Sequence, residues 1–194
     1  MASILKEKRD LRKICKNLRE TAFRLHGDRV AILMSQYFKD WLKEKNEVNT
    51  IAFYHPIGTE VDPLPLIQAL EESSLRFCLP VVTGSERPLI FKEWFKDSEL
   101  IISSYGVKIP VDGQLLMPDL IITPLLAFDR FGARLGYGGG FYDRTIEALR
   151  SKKNILVLGL AFECQRTDTT IPAEPTDQMI DWVLTEKGFE SFGS

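Results

Sequence analysis

The densest chemistry in the chain lies at residues 128–144. This stretch interleaves five glycines with aromatic, arginine and carboxylate side chains. Glycine has no Cβ, so the backbone there can take positive φ angles and bring its N–H groups close to a bound anion. The residues after Gly140 have the apolar spacing of a helix, whose N-terminus would face the same anion. We therefore predict an active-site loop that binds phosphate.

This glycine loop (residues 128–144) does not match the common phosphate motifs. It lacks the Gly-Lys-Ser/Thr ending of a P-loop, and Phe141 stands where the dinucleotide fingerprint has its third glycine. A tight turn between a strand and a helix would also explain the glycines. A plain turn, however, has no need of Arg134, Asp143 and Arg144 within so few residues, and their presence favours a binding loop.

Three cations share one edge of a predicted N-terminal helix. Apolar residues recur at intervals of three and four over residues 5–25, which indicates an amphipathic helix. At 100° per residue, Lys8, Arg12 and Arg19 fall together along the edge of the apolar stripe. Two interpretations remain open. The side chains bury their stems and solvate their heads, or they reach an anionic ligand at the rim of a pocket.

Two other loops between predicted elements carry candidate carboxylates. Glu60 lies in the loop at residues 55–62, where it is either a turn acid or a ligand-binding group. Asp177 and Asp181 precede the last strand and are either turn acids or neighbours of the phosphate site. A carboxylate near that site would suit Mg²⁺, which favours one or two carboxylates together with substrate oxygens.

The remaining pattern predicts a single α/β domain. A second helix is expected at residues 29–45 with Asp28 as N-cap, and a short one from Asp62 to about Ser73. The strand-type runs are residues 50–54, 77–82, 89–94, 120–123, 155–161 and 182–185. Strand, glycine loop, helix and strand form a βαβ unit, which predicts a Rossmann-like, mostly parallel sheet flanked by helices, with an N-terminal helical segment. Ligands then bind beyond the carboxyl ends of the strands.

Composition narrows the class of protein. The formal net charge of −2 over 194 residues provides no basic field for general nucleic-acid binding. Because the chain has neither a signal peptide nor an apolar run of membrane-spanning length, we expect a cytoplasmic protein with no membrane partner. The three cysteines, Cys15, Cys78 and Cys164, are far apart and are expected to be buried, reduced thiols. His26 and His55 have no ligand-spaced partner and are expected to be structural, with lining of the pocket as the alternative for His55.

Taken together, the motifs resemble a known family. Pro-Leu-Leu-Ala-Phe-Asp (124–129) and Gly-Ala-Arg-Leu-Gly-Tyr-Gly-Gly-Gly-Phe-Tyr-Asp-Arg (132–144) are similar to the signature of the 5-formyltetrahydrofolate cyclo-ligases, also called methenyltetrahydrofolate synthetases. Supporting motifs lie at residues 8–12, 54–62, 105–110 and 118–122, and at Asp177 and Asp181. The resemblance implies a single Rossmann-like domain. It also implies an enzyme that uses ATP and Mg²⁺ to convert 5-formyltetrahydrofolate to 5,10-methenyltetrahydrofolate, releasing ADP and phosphate.

The resemblance also implies site residues. Arg134 and Lys8 would be catalytic, and Asp143 and Asp177 would bind magnesium. The residues implied to bind ATP are Lys8, Arg9, Asp10, Leu11, Arg12, Arg134, Leu135, Gly136, Tyr137, Gly138, Gly139, Gly140, Phe141 and Tyr142. Those implied to bind the folate are Glu60, Tyr137, Gly138, Gly139, Gly140 and Phe141. The partners would be these small molecules, and we expect a monomer.

The chain departs from the family pattern at two positions. Phe141 stands where tyrosine is frequent, and Thr176 stands where histidine or asparagine usually precedes Asp177. Two other functions remain as alternatives. One is a non-catalytic nucleotide- or folate-binding module, and the other is a different Rossmann-like enzyme that acts on a phosphorylated small molecule.

Overall fold

A sheet of eight strands forms the centre of the protein. The computed structural model describes residues 2–193, except for the side chains of Ala2, Ser3 and Asp28. The helices are α1 (Ala2–Leu42), α2 (Leu64–Gln68) and α3 (Phe141–Arg150), with a 3-10 turn at Glu163–Gln165. The strands are β1 (Thr50–Ala52), β2 (Arg76–Val81), β3 (Ile90–Glu93), β4 (Leu100–Ile102), β5 (Lys108–Pro110), β6 (Leu115–Leu116), β7 (Leu120–Pro124), β8 (Ala127–Phe128), β9 (Arg134–Leu135), β10 (Leu156–Leu160), β11 (Trp182–Thr185) and β12 (Gly188–Ser191).

The order of strands in the sheet is β12-β11-β10-β7-β1-β2-β3-β6. The five strands from β11 to β2 are parallel to one another, and the pairs at both edges are antiparallel. Strands β7 and β10 pair directly and are joined through the glycine loop and α3, so the predicted βαβ unit is present. The predicted α/β class with a mostly parallel sheet is therefore confirmed.

Two apolar layers cover the two faces of the sheet. Along β1, Ile51 packs into the layer formed with α2 and the second half of α1, whereas Ala52 packs into the layer formed with α3. Neighbouring strand residues alternate between faces, which is why a short strand serves both layers. A third, smaller cluster surrounds the β8–β9 hairpin and takes Cys15 from the first half of α1.

Helix α1 corrects one prediction. The two helices predicted at residues 5–25 and 29–45 are one continuous helix, and the predicted start at Asp28 is wrong. The side chain of Asp28 itself lies outside the described residues. A glycine inside a helix costs about 1 kcal/mol relative to alanine, so Gly27 is a weak stop signal. The free energy gained by burying the turns that follow outweighs this cost, because Met34 and Phe38 are completely buried in the core.

Several short elements escaped prediction. The β4–β5 and β8–β9 hairpins, β6 and β12 each contribute strands of only two to four residues, too short to show an alternating pattern. The expected burial of the cysteines is confirmed for Cys15 and Cys78 and wrong for Cys164, whose thiol is free and exposed. Within residues 2–193, no helix combines the length and the apolarity that crossing a membrane would require.

Candidate active site

A cavity of about 530 Å³ opens at the carboxyl ends of β1 and β7. This volume is in the usual range for a small-molecule site. The lining comes from the first turns of α1, the segment after β1, the β4–β5 hairpin, the glycine loop, and the loop at residues 174–177. The two loops that the βαβ pattern placed at strand ends, residues 55–62 and 128–144, thus contribute to one site.

The glycine loop needs its glycines for conformation and for space. Gly138 and Gly140 have φ angles of 100° and 65°, which side chains rarely tolerate. A Cβ at Gly138 would also lie 3.3 Å from the Arg12 guanidinium carbon. Gly140 is the N-cap of α3, so the N–H groups of the first helical turn are open to an anion beside it.

Arg12 joins α1 to the glycine loop. Its Nε donates to the carbonyl oxygen of Gly136 over 2.8 Å, although the two residues are 124 positions apart in sequence. Both residues line the cavity. The guanidinium therefore stabilises the loop and also faces the space where an anionic ligand would bind.

Lys8 is buried in an acidic loop. Its Nζ donates to Asp177 Oδ2 at 2.5 Å and to Glu174 Oε2 at 2.9 Å, and only 5% of the residue is exposed. Burial, the largest influence, lowers the pKa of Lys8, but the hydrogen bonds and charges of the two carboxylates outweigh it and the pKa is raised. Lys8 is therefore a fixed positive charge at the cavity wall.

Arg134, at the start of β9, makes a similar pair. Its Nη1 donates to Asp143 Oδ1 at 2.9 Å and to the carbonyl oxygen of Gln178 at 2.8 Å. Asp143 Oδ1 also accepts from the backbone N–H of Gln178 at 3.0 Å. Arg134 and Asp143 both line the cavity, so a cation and an anion meet there beside the first turn of α3.

The predicted metal ligands, Asp143 and Asp177, each have an oxygen to spare. In the described part of the chain, the hydrogen bonds to Asp143 end on Oδ1 and those to Asp177 end on Oδ2. Each carboxylate thus keeps its second oxygen for a metal or a metal-bound water. No cluster of three or more metal-ligating side chains occurs among the described residues. These residues fit Mg²⁺, which binds one or two carboxylates and completes its shell with phosphates and water.

Glu60 is a buried carboxylate with an open oxygen. Its Oε2 accepts from the Ile57 N–H at 2.7 Å, whereas Oε1 is buried and accepts no hydrogen bond from the described residues. Burial raises the pKa of Glu60, against the Ile57 N–H, the Arg19 charge and the Tyr137 hydroxyl, which lower it. Since an unsatisfied buried acceptor is costly, Oε1 is suited to receive a ligand donor.

Arg19 lies behind this part of the cavity and does not line it. Its Nη2 donates to the Tyr137 hydroxyl, and its Nη1 is 3.9 Å from Glu60 Oε1. The interpretation that all three cations of α1 reach a ligand at a rim therefore holds only for the positions of Lys8 and Arg12. Arg19, which is 2% exposed, contacts the residues that face the ligand.

The remaining predicted residues divide into two groups. The whole segment from Leu135 to Tyr142 lines the cavity, as predicted for the ATP and folate sites. Arg9 and Asp10 are exposed, 3.8 Å from each other, and Leu11 packs against the cluster around the β8–β9 hairpin. These three do not line the cavity, and their implied ATP contacts stay a prediction.

The two histidines and Asp181 occupy different places relative to the cavity. His55 lines the cavity, and His26 is exposed on α1. Asp181 binds Arg150 at 2.9 Å and accepts from the backbone N–H of Val157, so it anchors the sheet to α3.

Tyr105 and Glu174 are two of the lining residues that sequence reasoning missed. Tyr105, at the tip of the β4–β5 hairpin, packs edge-to-face on Phe141 with ring centroids 5.8 Å apart. Its motif at residues 105–110 supports the family resemblance but predicts no role for the side chain. Glu174 pairs with Lys8, and nothing in the local sequence identified it.

Comparison with known proteins agrees with this geometry. Residues 4–186 match the model of the 5-formyltetrahydrofolate cyclo-ligase family. The protein named 5-formyltetrahydrofolate cyclo-ligase in Haemophilus influenzae is 34% identical over 87% of this chain and 89% of its own. The Escherichia coli K12 protein of the same name is 36% identical over 71% of this chain and 78% of its own.

A solved structure shows the same fold. The NMR structure of Aquifex aeolicus 5,10-methenyltetrahydrofolate synthetase covers 96% of this chain and 93% of that chain, with a TM-score of 0.75 and 27% identity. The motif resemblance is thus confirmed by independent sequence and structure matches over most of the chain. The chain belongs to the 5-formyltetrahydrofolate cyclo-ligase family.

Proposed function

We propose that this protein converts 5-formyltetrahydrofolate and ATP to 5,10-methenyltetrahydrofolate, ADP and phosphate. The observation that carries the proposal is the composition of the cavity. One part of its wall holds two cation–carboxylate pairs beside a glycine loop, and another holds the open oxygen of Glu60. A site for a phosphorylated co-substrate and a site for a ligand with N–H donors therefore share one space.

The reaction needs ATP because an N-formyl group is a poor electrophile. The N5 lone pair donates into the formyl carbonyl, so N10 does not close on it unaided. Transfer of the γ-phosphoryl group to the formyl oxygen releases ADP and leaves an imidoyl-phosphate-like carbon. N10 then attacks that carbon, its proton is lost, and the C–O bond breaks to release phosphate. No protein nucleophile is required, so catalysis consists of positioning and charge stabilisation.

On the ATP part of the wall, Lys8, Arg12 and Arg134 supply positive charge. The backbone from Leu135 to Tyr142 and the first turn of α3 supply N–H donors. We assign Arg134 to the transferred phosphoryl group, because it lies at the junction of the glycine loop and α3. An arginine fork matches phosphoryl oxygens with two parallel hydrogen bonds.

Asp143 and Asp177 would hold Mg²⁺ through their second oxygens. The ion would supply charge neutralisation for the phosphate oxygens of ATP. The chain's own contribution is to hold the carboxylates in place: Arg134 orients Asp143, and Lys8 orients Asp177.

On the folate part of the wall, Glu60 Oε1 would accept from the N–H groups of the pterin ring. Phe141 and Tyr105 line the cavity beside each other and would offer aromatic surface for packing against the same ring system. Phe141 has no hydroxyl, so in this chain it contributes packing rather than a hydrogen bond at that position.

We further propose that the chain acts as one domain, as a monomer and in the cytoplasm. The proposal is supported by one cavity that takes side chains from Leu5 to Asp177 of a single chain. Size-exclusion chromatography with light scattering tests the oligomeric state: a mass near 22.1 kDa is expected, and twice that mass would contradict it.

The decisive experiment is the cyclisation assay. Purified protein with ATP, Mg²⁺ and 5-formyltetrahydrofolate is expected to generate the near-ultraviolet absorbance of the methenyl product, together with one ADP per product. Folded protein that gives no such band with fresh substrate contradicts the proposal. Saturable binding of ATP or folate without ADP would favour a binding module. Turnover of sugar phosphates but not of folates would favour a different Rossmann-like enzyme.

A further inference from the structure

Of the three cations along the edge of α1, Arg19 is the one that the proposed function leaves without a role. It is 2% exposed and lies outside the cavity lining, whereas Lys8 and Arg12 face the cavity directly. An arginine keeps its charge under all ordinary conditions, so its burial is expensive unless its donors and its charge find partners. The identity of those partners indicates what the residue does.

Three elements hold the Arg19 guanidinium in one orientation. Its Nε donates to Thr59 Oγ1 at 3.2 Å, in the loop that carries Glu60. Its Nη1 donates to the carbonyl oxygen of Leu125 at 3.4 Å, just after β7. Its Nη2 donates to the Tyr137 hydroxyl in the glycine loop. The planar guanidinium therefore links the loop at residues 55–62, the end of β7 and the glycine loop.

The Tyr137 hydroxyl is oriented by this contact. Because its oxygen accepts from Arg19, its own proton points elsewhere, and Tyr137 lines the cavity. Burial raises the pKa of Tyr137, and so do the charge of Glu60 and the interaction of the hydroxyl with that carboxylate, although Arg19 lowers it. The hydroxyl therefore stays protonated, with its proton available to Glu60 or to a ligand beside it.

The Glu60 carboxylate is balanced without being blocked. Arg19 Nη1 is 3.9 Å from Oε1, close enough for charge attraction but too far for a hydrogen bond. Among the described residues, the other titratable groups that face Glu60 are the hydroxyls of Tyr54 just after β1, Tyr137 in the glycine loop and Tyr142 on α3. These hydroxyls are neutral, since burial raises the pKa of each of them. Arg19 thus supplies the counter-charge and leaves Oε1 open.

We propose that Arg19 is a positioning residue for the folate: from behind the cavity wall it orients the Tyr137 hydroxyl and balances the Glu60 carboxylate before the substrate binds. This role rests on the proposed cyclisation, and it extends the site to a residue that never touches the ligand. It predicts that folate binding depends on Arg19 and that ATP binding does not.

The test compares three variants by steady-state kinetics. Arg19→Met removes the charge, Arg19→Lys keeps the charge but loses the fork, and Lys16→Met removes an exposed charge from the same helix as a control. For Arg19→Met, the folate KM is expected to rise about 10- to 100-fold, as for loss of a hydrogen bond to a charged group, while the ATP KM stays within about twofold. Arg19→Lys should show a smaller rise, and Lys16→Met none.

A second readout does not need turnover. Titration of the Glu60 carboxyl carbon by ¹³C NMR in the ligand-free protein is expected to show a higher pKa in Arg19→Met than in the wild type, with Arg19→Lys close to the wild type. A merely structural role for Arg19 would lower thermal stability and leave this titration unchanged. If wild-type protein shows no cyclisation but the titration behaves as expected, the proposed function fails and the coupling of Arg19 to Glu60 stands.

Clear results would overturn the role. An unchanged folate KM in folded Arg19→Lys and Arg19→Met contradicts it, as does an unchanged Glu60 titration. A rise confined to the ATP KM also contradicts it. If Arg19→Met does not fold, the test uses the folate KM of three other variants: Arg19→Lys, Tyr137→Phe and the double variant that combines them. Folate KM effects of the two single changes that simply multiply in the double variant would show that the residues act independently.

Discussion

Lys8 and Arg134, on the part of the cavity wall assigned to ATP, bind carboxylates at hydrogen-bond distance, whereas Glu60 keeps one oxygen free of any hydrogen bond from the described residues. We call the first part the phosphate side (Lys8, Arg134, Asp143, Asp177) and the second the folate side (Arg19, Glu60, Tyr137). Both contain cations and carboxylates. They differ in whether the charges satisfy each other before a ligand arrives.

The difference indicates how each substrate is received. On the phosphate side, Lys8 and Arg134 already donate to carboxylates, so their charges are partly compensated before ATP and Mg²⁺ would bind. The Arg134 contacts in the described part of the chain come from Nη1, which leaves Nε and Nη2 for phosphate oxygens. On the folate side, Oε1 of Glu60 is desolvated and open, so a donor that reaches it gains the full benefit of a buried hydrogen bond. In the proposed site, ligand binding would therefore add to charges that are already paired on one side and complete a missing contact on the other.

The largest effect is expected when the phosphate side loses Arg134. Arg134→Ala should lower kcat by about 10² to 10³, the usual cost of removing a pre-organised donor from a transition-state charge. Initial rates at saturating ATP and folate measure it. Arg130→Ala, which removes an exposed arginine of the same loop, serves as the matched control. Near-normal turnover in Arg134→Ala would show that its pairing with Asp143 is only structural.

The next effect separates the two sides. Glu60→Gln should raise the folate KM about 10- to 100-fold, because an amide binds N–H donors more weakly than a carboxylate does. The ATP KM should change little, and Glu72→Gln, at an exposed position, should change neither. A Glu60→Gln effect seen only in the ATP KM would assign Glu60 to the phosphate side, and the proposed difference between the two sides would be wrong.

A smaller effect is expected for the metal. Asp177→Asn should raise the Mg²⁺ concentration needed for half-maximal rate by about tenfold, since the amide is a poorer ligand for a hard cation. The measurement is a titration of free Mg²⁺ at saturating ATP, with exposed Asp168→Asn as the control. An unchanged titration would exclude Asp177 as a ligand and leave it as the partner of Lys8 alone.

The smallest effect concerns stability and pH. The folded protein raises the pKa of Glu60 above its ordinary value of 4.5, so it holds this proton more tightly than the unfolded chain does. The resulting stabilisation is fully present below pH 4.5 and is lost as the pH rises through the folded pKa. Glu60→Gln should therefore gain stability relative to the wild type on going from pH 4 to pH 8. The gain is about 1.4 kcal/mol for each pH unit that separates the folded pKa from the unfolded pKa.

Urea unfolding of both proteins across that range measures the difference. A constant difference between Glu60→Gln and the wild type would mean that the carboxyl is charged as easily in the folded protein as in the unfolded chain. The Glu60 carboxylate would then be compensated in the folded protein, and the folate side would no longer differ from the phosphate side.

Sequence patterns captured the parts of the fold with strong periodicity. The strands of the parallel sheet were predictable because runs such as residues 155–161 are apolar without interruption, as strands covered on both faces must be. The sequence wrongly predicts two helices in place of α1, because the buried face of this helix packs against different parts of the protein along its length. Lys8 faces the cavity, and Cys15 packs into the cluster around the β8–β9 hairpin. Arg19 contacts residues behind the cavity wall, whereas Met34 and Phe38 face the main core.

The candidate site was predictable where chemistry is concentrated in sequence. The glycine loop was recognisable from glycine, arginine and aspartate at close spacing. Glu60 and the late aspartates were candidates from their positions in loops, and the resemblance supplied the roles of Glu60 and Asp177. The role of Arg19 was not predictable, because it depends on partners 40, 106 and 118 residues away that only the folded chain brings together. The same applies to the pairing of Lys8 with Glu174.

Helix α1 is anchored unequally along its length. Its second half is held by fully buried side chains such as Met34 and Phe38, whereas the turns around Lys8 and Arg12 are mostly exposed between their few buried contacts. Amide protons in the first turns should consequently exchange with solvent through local opening, long before those beyond Val30, which require global unfolding. Partial loss of the first turns would remove Lys8 and Arg12 from the proposed catalytic site while the sheet and its core persist. Inactivation of this protein is then a separate and earlier event than its denaturation.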